Sequence, residues 1–72
     1  MKLTMLNIAA TALQKTECEI LQGFIDDNKD IAFQFILRGY NDTCDDMVDF
    51  VVANKLETSL YIYCDIVKQM NR

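Results

Sequence analysis

The chain has 72 residues and a formal net charge of −4; 51% of its residues are hydrophobic and 25% are charged. A disordered chain would be poor in apolar residues and a collagen-like chain rich in Gly and Pro, so this composition, with no Pro and two Gly, excludes both. The length predicts a single domain over 1–72 that buries about 60% of the surface of the extended chain.

The first third of the chain has helical periodicity. Segment 3–14 is rich in Leu, Met and Ala, and its apolar positions form one stripe (Leu3, Leu6, Ala10 and Leu13). Thr16 followed by Glu19 is typical of a capping box, which predicts a second helix over 17–27. Because neither Gly nor Pro separates the two segments, one long bent helix over 3–27 is the alternative.

Segment 31–38 is apolar nearly all round. This pattern predicts a short helix buried in the middle of a bundle. It also fits a buried strand, because Phe33, Phe35 and Leu37 alternate with other residues. Gly39 follows directly and fits the position where a helix ends in a left-handed turn.

Two further caps divide the C-terminal half. Thr43 with Asp46 predicts a capping box that opens a helix over 44–53. Asn54, with Glu57 three residues later, is predicted to cap the last helix in the same way. The last helix has the clearest amphipathic pattern, with a predicted inward stripe at positions four or three residues apart (Leu56, Leu60, Tyr63, Val67 and Met70).

These caps and the amphipathic pattern predict an all-α fold, a compact single domain of four or five short helices. The alternative is a small α/β fold with strands near 31–38 and 59–64.

The three cysteines predict a reduced protein. Cys18, Cys44 and Cys64 are odd in number, far apart and outside any metal-binding spacing. We therefore predict that all three thiols are free, structural and inert, which is typical of a cytoplasmic protein. The N-terminal segment resembles a secretory signal peptide only in part, because Thr4 and Asn7 interrupt its apolar run. No apolar run approaches the ~20 residues of a membrane-spanning helix, so we expect no membrane partner.

Catalysis and cofactor binding have little support in the sequence. His is absent, so Cys44 has no partner base, and the neighbouring Asp45 and Asp46 oppose a thiolate. No Gly-rich run is present to hold a phosphate, and segment 26–30 lacks the alternating ligands and the Gly of a calcium loop. We predict that the protein is not an enzyme and binds no metal or cofactor.

Charge is concentrated in the middle of the chain. Segment 17–49 carries nine acidic and two basic residues, a net charge of −7. Such a field repels phosphate backbones and attracts basic protein surfaces, so we expect no direct nucleic-acid binding. Part of this concentration of acidic residues has a purely structural explanation, because carboxylates at the start of a helix complement its dipole. The predicted protein-binding residues are seven acids and two tyrosines: Asp26, Asp27, Asp30, Asp42, Asp45, Asp46, Asp49, Tyr40 and Tyr61.

The functional prediction is a small acidic helical module that binds another protein. As an inhibitor or adaptor it would dock on a basic surface, such as that of a nucleic-acid-handling protein, in a phage or mobile-element context. The alternative is a structural subunit that self-associates without a charge-driven partner. We also expect a homodimer, because a chain of this size can cover the apolar segment 31–38 only with difficulty.

Overall fold

The computed structural model describes residues 3–70, which form five α-helices and no strand. The helices are α1 (Thr4–Leu13), α2 (Glu17–Asp27), α3 (Lys29–Leu37), α4 (Cys44–Ala53) and α5 (Glu57–Met70). The predicted all-α fold is confirmed, and the α/β alternative is wrong.

Segment 3–27 forms two helices, α1 and α2, rather than one. Gln14 adopts a left-handed conformation with φ of 56°, and the Lys15 N–H donates to the Ala10 carbonyl (3.0 Å), which ends α1. The predicted capping box then opens α2: the Glu19 N–H donates to Thr16 Oγ1 (3.1 Å), and the Thr16 N–H donates to the Glu19 carboxylate (3.4 Å). The alternative of one long bent helix is therefore wrong, and a non-glycine residue makes the turn between the two helices.

Helix α3 lies at the edge of the fold. It begins at Lys29, where the Asn28 side chain accepts from two backbone N–H groups, so it starts two residues before the predicted boundary. Phe35 is its one fully buried residue. The prediction of a helix buried in the middle of a bundle is therefore wrong, because α3 packs mainly against α2 and leaves its other side open to solvent.

The predicted third cap has the opposite role. Asn54 ends α4 instead of starting α5, because its side-chain Nδ2 donates to the Phe50 carbonyl (2.8 Å). Lys55 then takes a left-handed conformation with φ of 55°, and the Leu56 N–H donates to the Val51 carbonyl (2.9 Å). An Asn side chain carries both a donor and an acceptor, so it can serve either end of a helix.

The core surrounds α2, which contacts all four other helices. The predicted stripe of α1 faces the core, with Leu13 half-buried and its other three residues buried. The fully buried core residues are Leu3, Leu6, Ala10, Ile20, Leu21, Phe24, Ile25, Phe35, Met47, Phe50, Val51, Leu60 and Cys64. On α5 the buried line runs through Leu60 and Cys64, and Met70 is 78% exposed. The inward prediction for Met70 is wrong because, at 100° per residue, it lies about 120° around the helix from Cys64.

Gly23 sets the approach of α5 to α2. A Cβ atom at this position would lie 2.5 Å from the Tyr63 hydroxyl oxygen. The Tyr63 ring contacts Phe24, with the ring centroids 5.7 Å apart. The missing side chain of Gly23 therefore makes room for the Tyr63 hydroxyl.

Candidate functional site

One groove brings together three of the predicted binding residues, Asp26, Tyr40 and Asp42. It lies between the C-terminal half of α2, α3 and the loop after α3, and it has a volume of about 300 Å³. We call it the acidic groove. Its lining residues are Gln22, Ile25, Asp26, Ala32, Phe35, Ile36, Tyr40 and Asp42.

The end of α3 fixes the position of Tyr40. Gly39 has φ of 82° and donates its N–H to the Ile36 carbonyl (3.0 Å), and the Tyr40 N–H donates to the Phe35 carbonyl (3.2 Å). These two bonds form a Schellman motif, which requires a left-handed residue and confirms the predicted role of Gly39. The motif also brings its flanking apolar side chains together, and the Tyr40 ring stacks on Phe35 with centroids 5.5 Å apart. Tyr40 is therefore half-buried.

Two carboxylates stand at the rim of the acidic groove. Asp26 is exposed in the last turn of α2, where its Oδ1 accepts from Gln22 Nε2 (3.0 Å), and Asp42 is exposed in the loop after α3. The groove also has an apolar part, because Ile36 is 74% exposed and lines it together with the half-buried Tyr40. Carboxylates beside apolar side chains suit a Lys or Arg side chain. Its charged group binds a carboxylate, and its methylene chain packs on the apolar side chains.

A second groove adjoins the acidic groove and shares Gln22 and Asp42 with it. Cys18 and Cys44 line this disulfide groove and are bonded to each other, with their Cα atoms 5.3 Å apart. The prediction of reduced thiols is wrong for these two cysteines, and Cys64 is free and buried as predicted. The bond joins the first turns of α2 and α4, which pack against each other. The two cysteines are 26 residues apart in the sequence, so no local pattern predicts that they meet.

The acids of α4 divide into structural and exposed groups. Asp46 is half-buried and accepts the Asn41 N–H (2.6 Å), while its own N–H donates to Thr43 Oγ1 (3.2 Å). The predicted box is thus half formed: Thr43 caps α4, and the Asp46 carboxylate holds the preceding loop. Asp45 and Asp49 are exposed on α4, away from its buried face.

Two other predicted residues lie elsewhere. Asp27 faces α5 and lines a groove together with Tyr63. Burial raises the pKa of Tyr63, and the negative charge of Asp27 raises it further. Asp30 is exposed in the first turn of α3.

Tyr61 is half-buried in a third groove between α1 and α5, whose apolar wall includes Met5 and Ile8. Burial raises the Tyr61 pKa, with a smaller contribution from Glu57. Burial also raises the pKa of the Cys64 thiol in the same groove. The expected single surface of seven acids and two tyrosines is therefore distributed over several faces of the fold.

Sequence reasoning missed Gln22 and Ile36, which complete the acidic groove. Gln22 is four residues before Asp26 on α2, a spacing at which two side chains meet, so the local sequence does contain that contact. Ile36 was expected in the core. It is exposed because α3 lies at the edge of the fold, and a local sequence pattern does not predict the position of a helix within the tertiary fold.

Within residues 3–70, no group of three or more acidic or cysteine side chains is arranged to hold a metal ion. None of the helices in this range is both long and apolar enough to cross a membrane. No protein family, curated protein or solved structure matches the chain.

Proposed function

We propose that the protein is a small binding module whose acidic groove docks on a basic surface of a partner protein. The observation that supports the proposal best is the presence of Asp26 and Asp42, from two separate segments, in one groove with the exposed Ile36 and the half-buried Tyr40. A role in binding rather than catalysis fits this chemistry, because the groove contains acceptors and apolar surface but no nucleophile paired with a base.

The groove selects for Lys or Arg on chemical grounds. A guanidinium or ammonium group can bind the rim carboxylates while its methylene stem lies on Ile36. A basic side chain with an apolar neighbour therefore satisfies the groove better than a cation alone.

The surrounding charge acts at longer range. Segment 17–49 has a net charge of −7, and most of its acids are exposed. Such a field steers a basic partner toward the groove and raises the association rate, an effect that falls as salt screens it. Proteins that handle nucleic acids present basic surfaces, so an inhibitor or adaptor of such a protein is the partner class we favour.

The test is the binding of a fluorescein-labelled peptide of alternating arginine and leucine, followed by fluorescence anisotropy at increasing salt. D26N/D42N removes the two rim charges of the acidic groove. D30N/D45N removes two exposed charges that do not line the groove and changes the net charge by the same amount. We expect D26N/D42N to weaken binding about tenfold and D30N/D45N to weaken it much less.

Equal losses in the two variants would show that the peptide senses only net charge, and would contradict a site at the acidic groove. A wild-type protein that does not bind the peptide at low salt would contradict the proposal as a whole. A second peptide with glutamine in place of arginine measures the contribution of the apolar part of the groove, and we expect it to bind far more weakly.

A further inference from the structure

Helix α3 presents an apolar face to solvent. Phe33 is 62% exposed and Leu37 is 64% exposed, and they are one helical turn apart on the side opposite the buried Phe35. Together with the neighbouring Ile36 they expose on the order of 300–400 Å², which is comparable to the largest apolar patch of a typical monomer, a patch that is often functional. We call the face formed by Phe33 and Leu37 the outer face of α3; Asp30 borders it at the N-terminal end, and Arg38 flanks it at the C-terminal end, about 100° around the helix from Leu37.

The ends of this face carry opposite charges. Asp30 lies in the first turn of α3, and Arg38 is its C-terminal capping residue. Eight residues separate them, which is about 12 Å along a helix, so they do not pair within one chain. The Arg38 Nε donates to Gln34 Oε1 (3.3 Å), which uses one donor and leaves the others of the guanidinium for a carboxylate.

We propose that the outer face of α3 joins two copies of this chain in an antiparallel, two-fold symmetric dimer. With the two-fold axis near the level of Phe35, Phe33 of one copy meets Leu37 of the second copy, and the reverse pair forms by symmetry. The same arrangement brings Arg38 of each copy within reach of Asp30 of the other. A face with one acidic and one basic end is complementary to itself only in this antiparallel orientation.

The expected dimer is weak. The exposed apolar side chains supply about half of the ~800 Å² that each partner buries in a standard interface. The rest of the contact would be polar rim, so the dimer should dissociate on dilution. This proposal uses other charges than the acidic groove does, because Asp26 and Asp42 lie outside the outer face of α3, and Ile36 is the residue that borders both surfaces.

Charge reversal tests the orientation. Sedimentation velocity over a range of protein concentrations gives the dimer dissociation constant for the wild type, D30R, R38D and the double variant D30R/R38D. Each single reversal places like charges opposite each other at two symmetric positions, and we expect it to raise the dissociation constant about tenfold. The double variant re-forms both pairs with reversed sign, so we expect a dissociation constant near that of the wild type.

The double variant also separates dimer formation from folding. Reversing charges at the two ends of α3 opposes the helix dipole, so losses of thermal stability should add in the double variant while dimer formation recovers. F33Q and I8Q form a matched pair of apolar-to-polar changes, because Phe33 and Ile8 are 62% and 61% exposed on different helices. We expect F33Q to weaken the dimer and I8Q to leave it unchanged.

Three results would overturn the proposal: a monomeric wild type at the highest concentration, a double variant no better than the single variants, or an I8Q variant as defective as F33Q. The last result would place the contact at the groove between α1 and α5.

Discussion

The disulfide between Cys18 and Cys44 should supply a large share of the stability of this small domain. It closes a loop across 26 residues, and the chain-entropy relation then gives about 3.5 kcal/mol at 25 °C from restriction of the unfolded chain. Domains of this length have a total free energy of unfolding of about 4–11 kcal/mol. Reduction should therefore remove between a third and nearly all of the stability, and lower Tm by about 14–28 °C.

The assay is urea unfolding followed by far-ultraviolet circular dichroism, with and without reductant, on the wild type and on C18S/C44S. The wild type should lose about 3.5 kcal/mol in reductant, and the variant should match the reduced wild type under both conditions. The insensitivity of the variant is the control for effects of the reductant itself. Equal unfolding midpoints for the oxidised and reduced wild type would refute the reasoning.

Three further predictions concern α5 and its contacts. Gly23→Ala should stabilise the Tyr63→Phe variant by about 1 kcal/mol through helix propensity, because the ring carbon Cζ is 3.6 Å from the new Cβ. In the wild type the hydroxyl oxygen is 2.5 Å from the new Cβ, so the same change should stabilise the protein less or destabilise it. Equal effects on the two proteins in urea unfolding would contradict this close approach. The Tyr63 pKa is raised above 10.0, so the native state holds its proton more tightly than the unfolded state. This stabilising contribution is complete below pH 10 and is lost as pH rises through the raised pKa, so stability should fall more steeply in the wild type than in Tyr63→Phe. Cys64 is buried and its pKa is raised, so a thiol reagent should react slowly with the native protein. After denaturation without reductant the reagent should label one thiol, and three labelled thiols would contradict the disulfide.

Local chemistry explains why the helices could be predicted from the sequence. Thr16 and Thr43 accept hydrogen bonds from residues three positions later, and Gly39 makes the left-handed turn that ends α3. Each of these contacts depends only on a few consecutive residues. Asn54 shows the limit of such reasoning, because the same side chain ends one helix instead of starting the next.

The candidate site was less predictable because its contacts are distant in sequence. Asp26 and Asp42 line one groove because α3 folds back on α2, whereas Asp27 beside Asp26 points to α5. The Cys18–Cys44 pair depends on the packing of α2 against α4 in the same way. Sequence patterns placed the acids on helix ends, but their grouping in space follows from the tertiary fold.

The acidic groove is the central claim, and two-dimensional heteronuclear NMR tests it most directly. The arginine–leucine peptide is titrated into labelled wild-type protein and into D26N/D42N. We predict that the largest backbone shifts of the wild type occur at Gln22, Ile36 and Tyr40 and that they disappear in the variant. Shifts spread evenly over all exposed acidic segments, or centred on the groove between α1 and α5, would contradict the claim.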